Sequence, residues 1–242
     1  MREVKPIKDG KKLGEVVSGL SDYRTDHEKR IYIMFMIGIC TGLRIGDILR
    51  LKVSDVNHGD IIRLKEEKTG KLQEVKIGQR LREVLDAELQ GMPDDAFLFP
   101  SRRKDKRGRI RPITTRTAEN DMHLIKEWFG ISFPFSCHSM RKTFGYWHYK
   151  DNRNLAMLAE QFNHADLSVT SRYIGLDEDD KKKAVERLYL DVLPPNRKAP
   201  AKKRSNQVNT VVTVRHHDRT AQKEAFVRRM QEGLRRKKMT IR

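Results

Sequence analysis

The sequence predicts a mainly α-helical protein with a small antiparallel β-sheet, an α+β fold. Three observations carry that expectation. Apolar residues recur at helical spacing through most of residues 26–189. One pair of short alternating runs flanks a glycine-containing turn. Hydrophobic residues make up 37% of 242 residues, enough for one full-sized core and too much, in periodic runs, for a disordered chain.

Residues 1–24 read as polar and irregular, with a turn at Lys8-Asp9-Gly10. Asp26 is placed to cap a helix running through Ile31, Met34, Phe35 and Ile39, which is apolar on nearly every side and so belongs in the core. Thr41-Gly42 breaks it, and a second helix spans 43–51 with Ile45, Ile48, Leu49 and Leu51 at helical spacing. Residues 53–56 read as a short extended piece and Asn57-His58-Gly59-Asp60 as a turn. Runs 61–66 and 72–77 read as two strands joined by Lys68-Thr69-Gly70-Lys71, a hairpin with glycine at its bend. A helix follows at 79–89. Residues 101–111 hold seven Lys or Arg and one Asp without apolar periodicity, the signature of an exposed basic loop. Further helices are expected at 114–128, 138–149, 154–162, 168–173 and 178–189, and Pro194-Pro195 closes a domain covering 1–193. Beyond it, 194–242 reads as a basic, largely flexible tail. Within that tail, 219–238 places Phe226, Val227, Met230 and Leu234 on one face of a short amphipathic helix, with a disordered polycation as the alternative.

Charge narrows the function classes. Lys and Arg number 51 against 33 acids, a net charge of +18. The tail alone carries 15 bases and 3 acids, whereas residues 1–193 carry 36 and 30 and are only mildly basic. Phosphate neutralisation with counterion release makes nucleic acid the leading partner, ahead of an anionic membrane or merely solvated lysine. Two cysteines, Cys40 and Cys137, cannot build a disulfide framework or a Cys-rich zinc site, and read as free thiols of a reducing cytoplasm. The most apolar stretch, 31–43, is too short to cross a bilayer and follows no signal peptide, so secreted and membrane classes are excluded.

An imidazole and a guanidinium three residues apart share one helical face, a pairing suited to gripping phosphoryl oxygens. The spacing occurs three times, at His27/Arg30, His138/Arg141 and His216/Arg219, where chance expects about one. The first and third read most simply as solvated faces. His138-Ser139-Met140-Arg141 differs by its ordered company. Upstream stands Thr41-Gly42-Leu43-Arg44-Ile45-Gly46-Asp47, then the hairpin Lys68-Thr69-Gly70-Lys71. Downstream come Phe162-Asn163-His164-Ala165 and Arg172-Tyr173-Ile174-Gly175. Singly, each has a plain structural explanation. Arg44 could cap its turn or pair with Asp47, Tyr173 could be half-buried core, and His164 a satisfied structural histidine. Those explanations would all have to hold at once while the order matched by accident.

Together, from about Val4 to Leu190, these elements resemble the catalytic domain of the tyrosine recombinases, the phage-integrase family. The resemblance implies an integrase-like fold and the cutting and rejoining of double-stranded DNA through a 3′-phosphotyrosyl intermediate. Residue by residue, it makes Arg44 the first catalytic arginine and Asp47 the acid that usually accompanies it. Lys68 becomes the hairpin lysine, with Lys71 as the alternative in so short a turn. His138 and Arg141 become the central pair, His164 the second histidine and Tyr173 the nucleophile. The residue types suit that chemistry. A tyrosine can form a covalent phosphoester, arginines and histidines can clamp non-bridging oxygens, and a lysine can protonate the leaving oxygen. No metal and no cofactor are implied. Arg102, Arg103, Lys104, Lys106, Arg107, Arg109 and Arg111 in the basic loop are the candidate DNA contacts. Family members usually carry an N-terminal core-binding domain as well. Its absence here would leave site recognition to the loop, the tail or an accessory DNA-binding protein, with self-assembly as a dimer or tetramer on DNA. Three rival readings remain: a recombinase-fold DNA-binding regulator with little or no catalysis, a type IB topoisomerase-like relaxing enzyme, and a basic architectural protein.

Overall fold

The computed structural model describes residues 3–57, 59–164 and 167–174, with residues 172 and 173 as helical backbone. The chain opens with α1 (Gly10–Ser21), whose first turn is capped by the Asp9 carboxylate accepting from the Lys11 N–H at 2.9 Å. α2 (Asp26–Thr41) is the central helix, packed against α1, α5 and α7 and buried on almost every side. Its apolar run Ile31–Ile37 explains that position: a helix with no polar face is stable only when surrounded. α3 (Ile45–Arg50) and α4 (Val53–Asn57) follow, and then a hairpin of β1 (Ile61–Lys65) and β2 (Leu72–Lys76). Its strands are antiparallel, from Ile61 opposite Lys76 to Lys65 opposite Leu72, so Ile62 and Val75 face the core together. α5 (Gln79–Glu88) leads to β3 (Pro100–Lys104) and β4 (Ile110–Pro112), and then to α6 (Thr115–Trp128). The last described elements are α7 (Cys137–Asn152), α8 (Leu155–Gln161) and α9 (Leu167–Tyr173).

The mainly helical fold with minor antiparallel β structure is as the sequence predicts; several elements differ. Within residues 1–24, expected to be irregular, 10–21 form a helix. α1 buries Val16 and Leu20, a helical stripe hidden in sequence by Gly10 and Gly14, and Ile7 donates its N–H to buried Thr143 at 2.9 Å. Thr25 rather than Asp26 caps α2, accepting from the Glu28 N–H, while Asp26 sits in the first turn where its charge suits the helix dipole. The second helix begins at Ile45 because Gly42 adopts a left-handed conformation, φ 67°, and Arg44 is extended. Residues 53–56 are helical: two ladder-like bonds, Val53 N–H to Ala96 and Ser54 N–H to Asp94, fix the start of α4 despite its β-branched valines. The basic segment is no loop but the β3–β4 hairpin, so the described residues hold two separate two-stranded sheets instead of one. Asp105 organises its tip, accepting the N–H groups of Arg107 and Arg109 at 2.8 and 2.9 Å. The helices expected at 178–189 and 219–238, the boundary at 193 and the tail lie outside the described residues.

Most buried side chains form one cluster running from Ile7 to Met140. A second, small cluster of Leu158, Phe162 and Ile174, with Phe144, Tyr149 and Leu155 against it, fastens α8 and α9 to α7. Gly145 makes that approach possible: a Cβ there would stand 2.7 Å from the Ile174 side chain and 3.1 Å from Phe162.

Candidate active site

The segments around Gly42, Glu66 and Phe162 are linked to α7 and to one another through Arg141 and Arg44. Ser136 caps α7 through a reciprocal pair of bonds with Ser139, which sets His138 in the first turn and Arg141 one turn later. Arg141 is 2% exposed and binds two of the other segments. One amino group donates to the Gly42 carbonyl at 2.6 Å and the other to the Phe162 carbonyl at 3.1 Å, while the guanidinium lies 4.0 Å over the Phe162 ring. Gly42 is two residues before Arg44, and Phe162 two before His164. Gly42 must be glycine for two reasons, since its φ is 67° and a Cβ would collide with Phe144 and Phe162.

Arg44 precedes α3 as its N-cap residue but makes no side-chain capping bond. Nor does it pair with Asp47. Its guanidinium forms an ion pair with Glu66, whose side chain is fully buried. Asp47, 3% exposed, instead accepts the Glu67 N–H at 2.8 Å and an Arg50 guanidinium at 3.2 Å, tying α3 to the hairpin turn. Lys68 is exposed in that turn, and its charge reaches His164. Lys71 sits past the bend, where its carbonyl accepts the Glu66 N–H at 2.9 Å.

His164 follows Asn163, a left-handed residue at φ 52°, and its Nδ1 lies 2.9 Å from the Oγ1 of fully buried Thr170. Burial, then the positive fields of Arg141 and Arg44, push its imidazole down to about 4. His138 also titrates below the ordinary histidine value, through desolvation and the Arg141, Lys142 and Arg44 charges, partly opposed by Glu119. Both imidazoles are therefore neutral near pH 7. Arg44, Lys68, His138, Arg141 and His164 thus share one electrostatic neighbourhood, and α9 ends at Tyr173, one residue before buried Ile174.

The seven basic residues between Arg102 and Arg111 lie on a separate element, the β3–β4 hairpin, all exposed. Arg109 and Arg111 also contact Asp105, at 2.9 and 3.4 Å. His27 and Arg30 are not a solvated face: they converge on buried Asp121 at 2.8 and 2.7 Å, clamping α2 to α6. The same spacing that grips a carboxylate there faces the shared neighbourhood on α7. His216/Arg219 lies outside the described residues. Among those residues, no group of three or more His, Cys, Asp or Glu could hold a metal ion, and no helix is long and apolar enough to cross a membrane.

Glu66, Asn163 and Thr170 are participants that motif reading missed. Glu66 alone had a visible signal. Continuing the β1 alternation puts Ile62, Leu64 and Glu66 on the inward face, and an acid at an inward position needs a partner.

The phage integrase family model matches residues 14–180. A probable integrase/recombinase of Bacillus subtilis (strain 168), YoeC, is 34% identical over 184 residues, covering 76% of this chain and 96% of the relative. Tyrosine recombinase XerA of Pyrococcus furiosus is 26% identical over 166 residues, and the chain spans 54% of its length. Among solved structures, XerA recombinase superposes with a TM-score of 0.59 at 22% identity, covering 81% of this chain and 67% of that one. XerH site-specific recombinase bound to its palindromic difH substrate superposes with a TM-score of 0.60 at 19% identity, covering 76% and 53%. These two share the fold. With the family model spanning most of the chain and a relative matched almost end to end, the protein belongs to the phage integrase family.

Proposed function

We propose that the chain is a site-specific DNA recombinase or integrase that cuts and rejoins strands through a 3′-phosphotyrosyl intermediate. One observation carries the reading: Arg141 ties together the Gly42 and Phe162 carbonyls, two residues before Arg44 and His164, and His164 in turn meets Thr170 of α9 at 2.9 Å. In this reading Arg44 and Arg141, with the two histidines, hold the non-bridging oxygens of the scissile phosphate. Arg141 is held in place by the Gly42 and Phe162 carbonyls, which fixes the direction of its guanidinium before DNA arrives. The Tyr173 hydroxyl attacks phosphorus, forming the P–O(Tyr) bond as the P–O5′ bond breaks. Its proton passes to a neutral imidazole, His138 or His164, and Lys68 gives a proton to the departing 5′-oxygen. Attack by a 5′-hydroxyl reverses these steps and reseals the strand. A free phenol ionises near pH 10, so the surrounding cations favour the attacking phenolate. Because side-chain cations would neutralise the transition state, strand cleavage should continue in excess EDTA, and a magnesium requirement would contradict this mechanism.

The same reading makes 1–193 the catalytic region and 194–242 a basic appendage, with double-stranded DNA as partner and assembly as a dimer or tetramer on it. The cytoplasm is the compartment it fits, and the two free cysteines suit that setting. The test is a nicked suicide duplex built from the DNA flanking the protein's own coding sequence. The full chain should leave a denaturant-resistant adduct. Tyr173→Phe should abolish it while DNA affinity survives, and Arg44→Ala should slow its formation by about a hundredfold. An adduct mapped to Tyr146, Tyr149 or Tyr189 would overturn the assignment. Relaxation of any supercoiled plasmid without a preferred site would favour a topoisomerase-like enzyme.

A further inference from the structure

The Glu66 carboxylate, 1% exposed, is met from three elements. Arg44, before α3, forms an ion pair with it. Thr69, next to Lys68 in the hairpin turn, donates its hydroxyl at 2.5 Å. Asn163, next to His164, turns its side-chain amide toward the same group without a well-aligned hydrogen bond. The Glu66 backbone also closes the turn, its N–H donating to Lys71 and its carbonyl accepting from Gly70, each at 2.9 Å. All three of these side chains are donors, an arrangement that suits an ionised acid better than a neutral isostere. Burial would raise its pKa, but Thr69 and Arg44 together hold it below the ordinary glutamate value.

We propose that Glu66 is a positioning residue: oriented by Thr69, it holds the Arg44 guanidinium in register for the scissile phosphate. The proposal rests on the functional reading above. Arg44 has an extended backbone and no capping bond, so its long side chain would otherwise sample several rotamers. Glu66 removes that freedom before DNA arrives, which lowers the reorganisation needed in the transition state. The carboxylate reaches the reacting phosphate only through its partners. Glutamine at this position could accept from one donor, but its amide would face another.

The discriminating experiment is a double-mutant cycle in the full chain, using the same nicked suicide duplex. Glu66→Gln should slow single-turnover adduct formation at saturating DNA by tenfold or more, with the dissociation constant within about threefold of the parent. In an Arg44→Ala background, the same substitution should slow the residual reaction by less than about threefold, because the group it positions is gone. A purely structural acid would lower the rate equally in both backgrounds, and equal losses overturn the proposal. So does a Glu66→Gln protein that reacts at the parental rate. Thermal unfolding of all four proteins identifies a variant whose loss is a loss of fold. If Glu66→Gln unfolds, Thr69→Val takes its place in the cycle, with the same outcomes required. A parent protein that forms no adduct overturns the recombinase reading itself, a result distinct from either failure of the Glu66 variants.

Discussion

At the scale of single residues, the site stores positive charge beside imidazoles that cannot share it. His164 is held at about 4 by burial and by Arg141 and Arg44, against an ordinary value of 6.5. Between those values the unfolded chain binds a proton that the folded chain refuses, so stability rises with pH across that window. The melting temperature should therefore fall as pH is lowered from 6.5 toward 4, and His164→Gln should flatten that part of the curve. An unchanged slope in the variant would show that His164 is not the group responsible. A phosphate placed among the arginines would cancel their field and lift the same imidazole. DNA binding near pH 5.5 should consequently take up protons, which calorimetry in buffers of different ionisation enthalpy measures directly. The titrating residues were legible in sequence because their order and spacing are local. Asn163 and Thr170 were not, since each matters through a partner on another segment, and Glu66 showed only as an acid at an inward position of the β1 alternation.

At the scale of elements, two kinds of anchoring meet at the site. Arg44 immediately before α3, and His138 and Arg141 on α7, adjoin elements rooted in the large core, whereas α8 and α9 rest on the small cluster of Leu158, Phe162 and Ile174. Phe162 is fully buried and packs on Arg141, on Phe144 at 5.9 Å and on His164 at 5.3 Å between ring centroids. Replacing a buried Phe by Ala typically costs about 3–5 kcal/mol. In a satellite cluster that cost falls on local opening first. Phe162→Ala should therefore lose amide protection across 155–174 while α2 stays protected, and should lose cleavage more than DNA affinity. Loss spread evenly over the chain would instead make α8 and α9 part of the main cooperative unit. Periodicity located most helices to within a residue or two, because their apolar stripes are written locally. It failed where tertiary bonds outvoted local signals. Two backbone bonds from the 94–96 segment wind β-branched 53–56 into α4, and the 101–111 segment pairs into a hairpin that has no apolar face to announce it.

At the scale of the molecule, charge is segregated from chemistry. Residues 1–193 hold 36 bases and 30 acids, whereas 194–242 hold 15 and 3. Affinity for a polyanion follows the number of phosphates neutralised, and each adds about 0.9 to the slope of log affinity against log salt. Two surfaces compete for that role. The β3–β4 hairpin exposes Arg102, Arg103, Lys104, Lys106 and Arg107, while Asp105 draws on Arg109 and Arg111 and tempers their charge. Arg102→Ala with Arg103→Ala should flatten the slope by about two units if both touch phosphate. Deleting 196–242 should flatten it by about four to five units if the tail reaches roughly five phosphates. The two effects should add where hairpin and tail neutralise different phosphates. Adduct formation at saturating DNA and low salt should survive both changes, since neither removes Arg44, Lys68, His138, Arg141, His164 or Tyr173. A truncated protein with the parental salt slope would assign the tail's charge to another partner, and would leave the hairpin as the main electrostatic hold on DNA.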